Sequence, residues 1–279
     1  MDFVKLDFVT PGSPSNGQML PADQSESVIA WHNAIQQSGR EMRLDISWKL
    51  DRTEKYFNIW NSNADSMRTD QDINNSGDSK LVNWGTVQRA IENYRQWIVA
   101  ALEIFDMVNI YPDMDNLFVG NPESISGLSN AQRQTVMSHW IGAGANLVIG
   151  SDLTNLDDFG INLLTNEDAL AVADFATRYP MQPRNPGSGG QDAKQVQAWV
   201  AGPDESGMAV VLLANYGPDE NNGGFGTDRP GPQSVSVSFA DLGLTGDFNI
   251  HDVWNDNNLD SLEATLDEGE SLLLTLTPL

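Results

Sequence analysis

The chain has 279 residues, with 39 acidic against 15 basic side chains, a formal net charge of −24 and no cysteine. A surface this acidic disfavours nucleic acid and anionic membranes as partners. The lack of cysteine excludes disulfides, thiol catalysis and cysteine-based metal sites, and no apolar run approaches the roughly 18 residues of a membrane span. The acidic excess favours a secreted, extracellular protein, although residues 2–7 lack the basic and apolar segments of a signal peptide.

Strand-like and helical patterns alternate through the first 175 residues. Short apolar runs predict strands near residues 5, 45, 67, 109 and 148. Apolar residues at helical spacing predict helices over 25–38, 53–60, 84–105, 129–141 and 166–175. Gly39 is the predicted end of the first helix and Ser129 the predicted N-cap of the fourth. Because strands that alternate with helices form parallel sheets, the sequence predicts an α/β fold, either a barrel or a doubly wound sheet.

The pattern changes after residue 178. Residues 179–192 are rich in Pro, Gly and Asn and predict a linker. Beyond them, short apolar runs separated by turn residues predict an antiparallel β-sandwich, with strands at 196–201, 208–214, 234–239, 248–254 and 271–277. The predicted organisation is therefore an α/β portion over 1–178, a linker over 179–192 and a C-terminal sandwich over 193–279.

Charged side chains collect where the predicted strands end, namely Lys5, Asp7, Asp45, Arg68, Asp72 and Asp113. In a barrel, the carboxyl ends of the strands form the catalytic rim. Asp7 and Asp72, each with a basic residue nearby, form a pair typical of glycosidases, in which one carboxylate attacks and the other protonates the leaving oxygen. The structural alternative is that these acids cap helices or lie in solvated turns.

The three histidines give no alternative site. His32, His139 and His251 are isolated in the sequence, and none stands at metal-ligand spacing, so we interpret them as structural. Since two carboxylates suffice for glycoside hydrolysis, we predict no metal and no cofactor.

Short motifs in a fixed order along the chain carry a family resemblance. Residues 2–7, Asp-Phe-Val-Lys-Leu-Asp, are similar to the strand Asp-Tyr-Leu-Lys-Tyr-Asp of family 27 of the glycoside hydrolases, the α-galactosidase and α-N-acetylgalactosaminidase family. Arg68 and Asp72 match its Arg-x-x-x-Asp-Ile, and Pro112-Asp113-Met114 matches the end of its Trp-Asn-Asp-Pro-Asp-Met. Further matches cover Gly39-Arg40 with Ile46-Ser47-Trp48, residues 128–153 and the C-terminal strands.

The resemblance implies a retaining glycosidase that cleaves terminal α-linked sugars, most similar to the α-galactosidases. It implies that Asp7 is the nucleophile and Asp72 the general acid/base. The implied substrate-binding residues are Lys5, Ser47, Trp48, Leu50, Asp51, Arg68, Asp113 and Met114. Ser47 favours an N-acetylated sugar and Leu50 favours galactose, so this pair gives a mixed indication of the substrate.

The resemblance also implies the fold, which is the C-terminal part of a (β/α)8 TIM barrel, strands 4 to 8, followed by the antiparallel β-sandwich. The units that hold the first barrel strands are expected on another chain or fragment, together with the residues that choose between galactose and glucose. Two rival functions stay open. One is an α-glucan glycosidase that resembles isomaltodextranases, and the other is a non-catalytic carbohydrate-binding protein of the same fold.

Overall fold

The computed structural model describes residues 2–13, 19–75, 78–106, 109–184, 195–220 and 229–279. The chain forms two compact units, one of Met1–Asp72 with Asn93–Asp115 and the other of Ile73–Glu92 with Asn116–Leu279. The predicted domain boundaries at 178 and 192 stay predictions, and residues 185–192 of the predicted linker lie outside the described residues. Within the described ranges, no helix combines the length and apolar character needed to cross a membrane.

The first unit is built on a four-stranded parallel sheet in which the strands follow chain order. The strands are β1 (Phe3–Leu6), β2 (Arg43–Ile46), β3 (Ser66–Arg68) and β4 (Tyr111–Asp113). Leu44, Ile46 and Met67 are fully buried in this unit. The alternation of strand and helix in the sequence therefore predicted the parallel sheet correctly.

One strand of this sheet lies later in the chain than predicted. The strand expected near residue 109 is Tyr111–Asp113 and includes Pro112. β4 pairs with β3 only, so Pro112 sits at the edge of the described sheet. A proline is tolerated there because its missing N–H interrupts no ladder between two neighbours.

The predicted helices are all present, and their bounds agree to within a few residues. They are α1 (Ser25–Ser38), α2 (Glu54–Asn63), α3 (Trp84–Phe105), α5 (Asn130–Gly142) and α7 (Glu167–Arg178). Gly39 ends α1 in the left-handed conformation, with a φ of 66°. Ser129 caps α5 and forms a capping box with Gln132. Two short helices were not predicted, α4 (Glu123–Ser126) and α6 (Asp158–Thr165).

The strand predicted at 147–150 is wrong in extent. In the second unit, Ile149 forms an isolated parallel bridge with Leu117. The amide of Leu117 donates to the carbonyl of Val148 at 2.7 Å, and the amide of Gly150 donates back to the carbonyl of Leu117 at 2.9 Å. Val148 and Ile149 are each 48% exposed. Among the described residues this apolar run pairs at one position only, so it forms a bridge and not the predicted strand.

The second unit contains the predicted antiparallel sandwich. One sheet has six strands in the order β10-β9-β12-β7-β6-β5, and β11 pairs with β8. The strands are β5 (Gln182–Pro183), β6 (Val196–Ala201), β7 (Ala209–Asn215), β8 (Gln233–Ser236), β9 (Phe248–Asp252), β10 (Asn257–Leu259), β11 (Glu263–Leu266) and β12 (Glu270–Pro278). The core includes Val211, Leu213, Leu274 and Leu276. β5 lies within the predicted linker, and the short strands β10 and β11 were not predicted.

A fully buried histidine joins α5 to the sandwich of the second unit. The Nδ1 atom of His139 lies 2.9 Å from the hydroxyl of Tyr216. Its ring meets the ring of Trp199 edge-on, with 5.0 Å between the centroids. Complete burial lowers the pKa of His139 to about 3. A histidine of the unfolded chain has a pKa near 6.5. Between about pH 6.5 and 3, the unfolded chain therefore binds a proton at His139 that the folded protein does not bind.

His139→Asn is expected to weaken the acid sensitivity of folding. Because the folded pKa is depressed, the stability that neutral His139 contributes is present above about pH 6.5 and is lost as the pH falls toward 3. Between pH 7 and 5, the free energy of unfolding of the wild type should fall by about 2 kcal/mol more than that of the variant. Urea unfolding at both pH values measures this difference. Equal losses in the two proteins would contradict it, whatever the stability of the variant.

Candidate active site

The register of the parallel sheet puts the candidate site residues on one face. Lys5 pairs with Asp45, and Asp45 pairs with Ser66, so these residues form one row across three strands. Two residues further along β3 and β4, Arg68 pairs with Asp113. Side chains two positions apart in a strand point to the same face. The carboxyl ends of these strands therefore bring cations and carboxylates together.

The guanidinium of Arg68 is the centre of this cluster. Its Nη2 atom lies 2.8 Å from Asp72 and 2.7 Å from Asp115, and its Nη1 atom lies 3.3 Å from Asp113. The Arg68 side chain is only 4% exposed. Burial alone would lower the pKa of Arg68, but the surrounding carboxylates outweigh it and raise the pKa. A buried, permanently charged fork of this kind can orient several carboxylates at once.

Lys5 contacts two buried acids of the sheet, Asp113 and Asp45. Its Nζ atom donates a hydrogen bond to Oδ2 of Asp113 at 2.5 Å and lies 3.3 Å from Oδ2 of Asp45. Burial would raise the pKa of Asp113, but Arg68 and Lys5 outweigh burial and hold that pKa below its usual value. Asp113 is therefore a carboxylate that accepts hydrogen bonds from both cations.

The two predicted catalytic acids are both open to solvent. Asp7 follows β1, and its Oδ1 atom accepts a hydrogen bond of 2.9 Å from the amide of Phe8. Asp72 is bound to Arg68, yet its side chain is 74% exposed. A retaining enzyme requires carboxyl groups about 5–5.5 Å apart. That separation, and the catalytic roles of Asp7 and Asp72, stay predictions.

A pocket of about 160 Å³ lies in the first unit, lined by Ser13, Ser47, Trp48, Asp70, Gln71 and Asp72. Among its lining are the predicted site residues Ser47, Trp48 and Asp72. The indole N–H of Trp48 donates to the carbonyl of Ser13 at 2.8 Å. The Phe8 ring packs against the Trp48 ring with 4.5 Å between centroids. An aromatic surface beside polar groups is a suitable lining for a sugar.

Three predicted substrate-binding residues, Leu50, Asp51 and Met114, belong neither to the lining of this pocket nor to the ion pairs around Arg68 and Lys5. Leu50 is 2% exposed and Met114 is 0% exposed, so both pack in the core of the unit. Oδ1 of Asp51 accepts hydrogen bonds from the amide and the hydroxyl of Thr53, at 2.8 and 2.5 Å. Its carboxylate therefore stabilises the turn that precedes α2. A direct contact between sugar and Leu50, Asp51 or Met114 finds no support in this geometry.

The backbone after β2 explains why Leu50 is buried. Trp48 has a φ of 130° and Lys49 a φ of 44°, which are left-handed values for two large residues. These values break the alternation of faces that a continued strand would have. Leu50 turns inward as a result, although it follows Ser47 and Trp48 closely in sequence.

The structure also brings Asp115, Asp70 and Ser13, which lie outside the predicted set of site residues, into the cluster or the pocket. Asp115 ion-pairs with Arg68, and its position two residues after Asp113 could have indicated it. Asp70 accepts a hydrogen bond from Asn93 at 3.0 Å and lies 3.7 Å from Lys49. No such signal was available for Ser13, because loop residues reach a pocket through the fold and not through a pattern.

Asp45 was noted at a strand end, but without a function. It is 1% exposed, and its Oδ1 atom accepts a hydrogen bond of 2.6 Å from the hydroxyl of Ser66. Burial and the neighbouring Asp113 raise the pKa of Asp45 to about 7, against the opposing effects of Lys5 and Ser66.

Across the described residues, no group of three or more His, Cys, Asp or Glu side chains has the arrangement of a metal site.

Known proteins resemble both parts of the chain. Residues 193–276 match the family of the α-galactosidase C-terminal β-sandwich domain. Over 280 aligned residues, the chain is 51% identical to α-galactosidase 3 of Hypocrea jecorina, covering 99% of this chain and 45% of that protein.

The chain is related in sequence to the α-galactosidases.

Solved structures similar to this chain show its fold. A GH27 β-L-arabinopyranosidase from Geobacillus stearothermophilus aligns with a TM-score of 0.76 and 21% identity, over 99% of this chain and 58% of that one. α-Galactosidase I from Mortierella vinacea aligns with a TM-score of 0.68 and 19% identity, over 100% of this chain and 68% of that one. These findings confirm the predicted family resemblance and the predicted fold, the C-terminal part of a TIM barrel with a β-sandwich. The chain spans about half the length of the curated α-galactosidases it matches.

Proposed function

We propose that this protein hydrolyses terminal α-galactosides with retention of configuration. The observation that carries the proposal is the arrangement around Arg68, which holds the exposed carboxylate of Asp72 at 2.8 Å while Asp7 stands at the end of β1 in the same sheet. Nucleophile and acid/base at the ends of parallel strands are what this reaction needs. The 51% identity to a fungal α-galactosidase supports the same conclusion.

In the proposed mechanism, Asp7 attacks the anomeric carbon as Asp72 gives its proton to the leaving oxygen. The glycosidic bond breaks and a covalent ester forms between the sugar and Asp7. Asp72, now a carboxylate, takes a proton from water, and that water attacks the anomeric carbon and releases Asp7. Two displacements restore the original configuration.

Other polar residues of the unit would hold the sugar. Lys5 and Arg68 can donate hydrogen bonds to hydroxyls, and Asp113 can accept them. Trp48, braced by Phe8, offers a ring face for an apolar side of the sugar. The small side chain of Ser47 in the pocket leaves room beside it, so an N-acetylated sugar is the second candidate substrate.

We also propose that βα units outside this sequence complete the barrel, on a longer polypeptide, another chain or a fragment. Two observations support this proposal. The chain spans 45% of the Hypocrea jecorina relative. In the described sheet β1 pairs on one side only, with β2, and its Phe3 is 43% exposed. The acidic composition further favours an extracellular location.

Hydrolysis of nitrophenyl glycosides by the complete protein tests the function. The α-galactoside should react fastest, with the α-N-acetylgalactosaminide, the β-L-arabinopyranoside and the α-glucoside as competing substrates. Proton NMR of the first sugar released should show the α-anomer. A β-anomer would contradict retention, and binding of sugar without any hydrolysis would favour the non-catalytic alternative.

A further inference from the structure

The face that holds Lys5 contains a buried acid, Asp45, to which none of the motifs assigns a function. Asp45 pairs in register with Lys5 on β1 and with Ser66 on β3. Its Oδ1 atom is bound by the Ser66 hydroxyl at 2.6 Å, and its Oδ2 atom lies 3.3 Å from the Lys5 ammonium. On the other side, the same ammonium donates to Asp113 at 2.5 Å. Lys5 is thus held between two carboxyl groups.

The charges of this cluster do not balance when every acid is ionised. Its buried acids are Asp45, Asp113 and Asp115, and its cations are Lys5 and Arg68. Burial disfavours the unmatched negative charge. Asp113 has a cation, Lys5, at 2.5 Å and Asp115 has Arg68 at 2.7 Å, whereas the ion pair of Asp45 with Lys5 measures 3.3 Å. Asp45 is therefore the acid that most readily takes a proton, in agreement with its pKa of about 7.

We propose that Asp45 is a positioning residue for Lys5, and that its protonation decides whether the ammonium is available to a sugar hydroxyl. Protonated Asp45 leaves Lys5 bound to Asp113, with donors free to turn toward the substrate. Ionised Asp45 attracts the ammonium toward its own carboxylate, and the hydrogen bond from Lys5 to the sugar hydroxyl weakens. This proposal rests on the proposed glycosidase function, in which Lys5 binds substrate.

The complete enzyme should then lose affinity for its substrate as the pH rises through neutrality. For nitrophenyl α-galactoside, we expect KM to rise about three- to tenfold between pH 6 and 8, the effect of weakening one hydrogen bond, with a smaller change in kcat. Asp45→Asn imitates the protonated acid and should keep a low, flat KM over this range. The control Asp174→Asn, an exposed acid of α7, should follow the wild-type curve.

Ser66→Ala provides a second, milder variant. The Ser66 hydroxyl lowers the pKa of Asp45 through its hydrogen bond. Its removal should therefore shift the rise in KM to a higher pH without abolishing it. A merely structural role for Asp45 would change KM by the same factor at every pH. An Asp45→Asn enzyme with the wild-type pH profile, or a Ser66→Ala enzyme with an unshifted one, would overturn the proposal.

A measurement without turnover separates this proposal from the proposed function. Competitive acetylation at pH 8, followed by mass spectrometry, measures the reactivity of the Lys5 amine. Because only the deprotonated amine reacts, this rate depends on the pKa of Lys5. The ionised Asp45 carboxylate raises the pKa of Lys5, so Asp45→Asn should be acetylated several times faster at this position than the wild type. Equal rates would overturn the role of Asp45. Absence of hydrolysis by the wild type would instead overturn the proposed function.

Discussion

Asp7→Asn is expected to lower kcat for α-galactoside hydrolysis by more than about a thousandfold, because the amide cannot form the covalent intermediate. The fold should survive, since the Asp7 side chain is exposed and its described hydrogen bond comes from the adjacent residue, Phe8. Steady-state kinetics and circular dichroism of the complete protein measure the two effects. Asp2→Asn, at the other end of β1 and 91% exposed, is the matched control and should keep wild-type kcat.

Azide distinguishes a lost nucleophile from a disturbed site. Asp7→Gly leaves a space at the anomeric carbon that azide can enter, so azide should restore turnover and yield the β-galactosyl azide. Azide attacks from the side on which Asp7 stands in the proposed mechanism, which inverts the configuration. Near-normal kcat in Asp7→Asn would show that Asp7 is a structural acid.

Arg68→Leu is expected to lower the free energy of unfolding by about 3–5 kcal/mol at pH 7. The substitution removes a cation from two buried carboxylates, Asp113, which keeps its contact with Lys5, and Asp115. An uncompensated buried carboxylate is more costly than the original pair is favourable. Denaturant unfolding measures the loss. Arg178→Leu, which removes an exposed ion pair with Asp174, should cost less than about 1 kcal/mol.

Acid should reduce the effect of Arg68→Leu. The pKa of Asp113 is held low in the folded protein, so the stability that this carboxylate contributes is present above its unfolded pKa and is lost as the pH falls through the folded pKa. The difference between wild type and Arg68→Leu should therefore be largest near neutrality and shrink below about pH 4. A difference independent of pH would show that packing of the Arg68 side chain, and not its charge, stabilises the unit.

Elements with a local signal were predictable from the sequence. α1 has apolar residues at helical spacing and a glycine directly after it, so both its existence and its end at Ser38 followed from the pattern. The extent of the strand near 148 was not predictable, because the apolar run of 147–150 does not show how many of its residues pair with another strand. In the structure that number depends on Leu117, which is about thirty positions away and forms only a bridge.

Site residues that belong to a sequence motif were predictable. Contacts that depend on the register between two strands were not. Arg68 and Asp113 were identified from short motifs, and the structure pairs them across β3 and β4. The contact between Asp45 and Lys5 depends on which residues of two strands stand opposite each other, which the sequence does not specify. The burial of Leu50 was not predictable, because nothing in the sequence indicated the left-handed backbone at Trp48 and Lys49.

The backbone at Trp48 has a consequence for the evolution of this protein. A φ of 130° is unfavourable for any residue with a side chain, and by the usual magnitude of such strain it costs about 1–3 kcal/mol. Glycine accepts this conformation without strain but has no ring for the pocket. Selection for stability would therefore favour replacement of Trp48, whereas selection for the sugar binding proposed above would retain it. Lineages under the two pressures should therefore differ at this position.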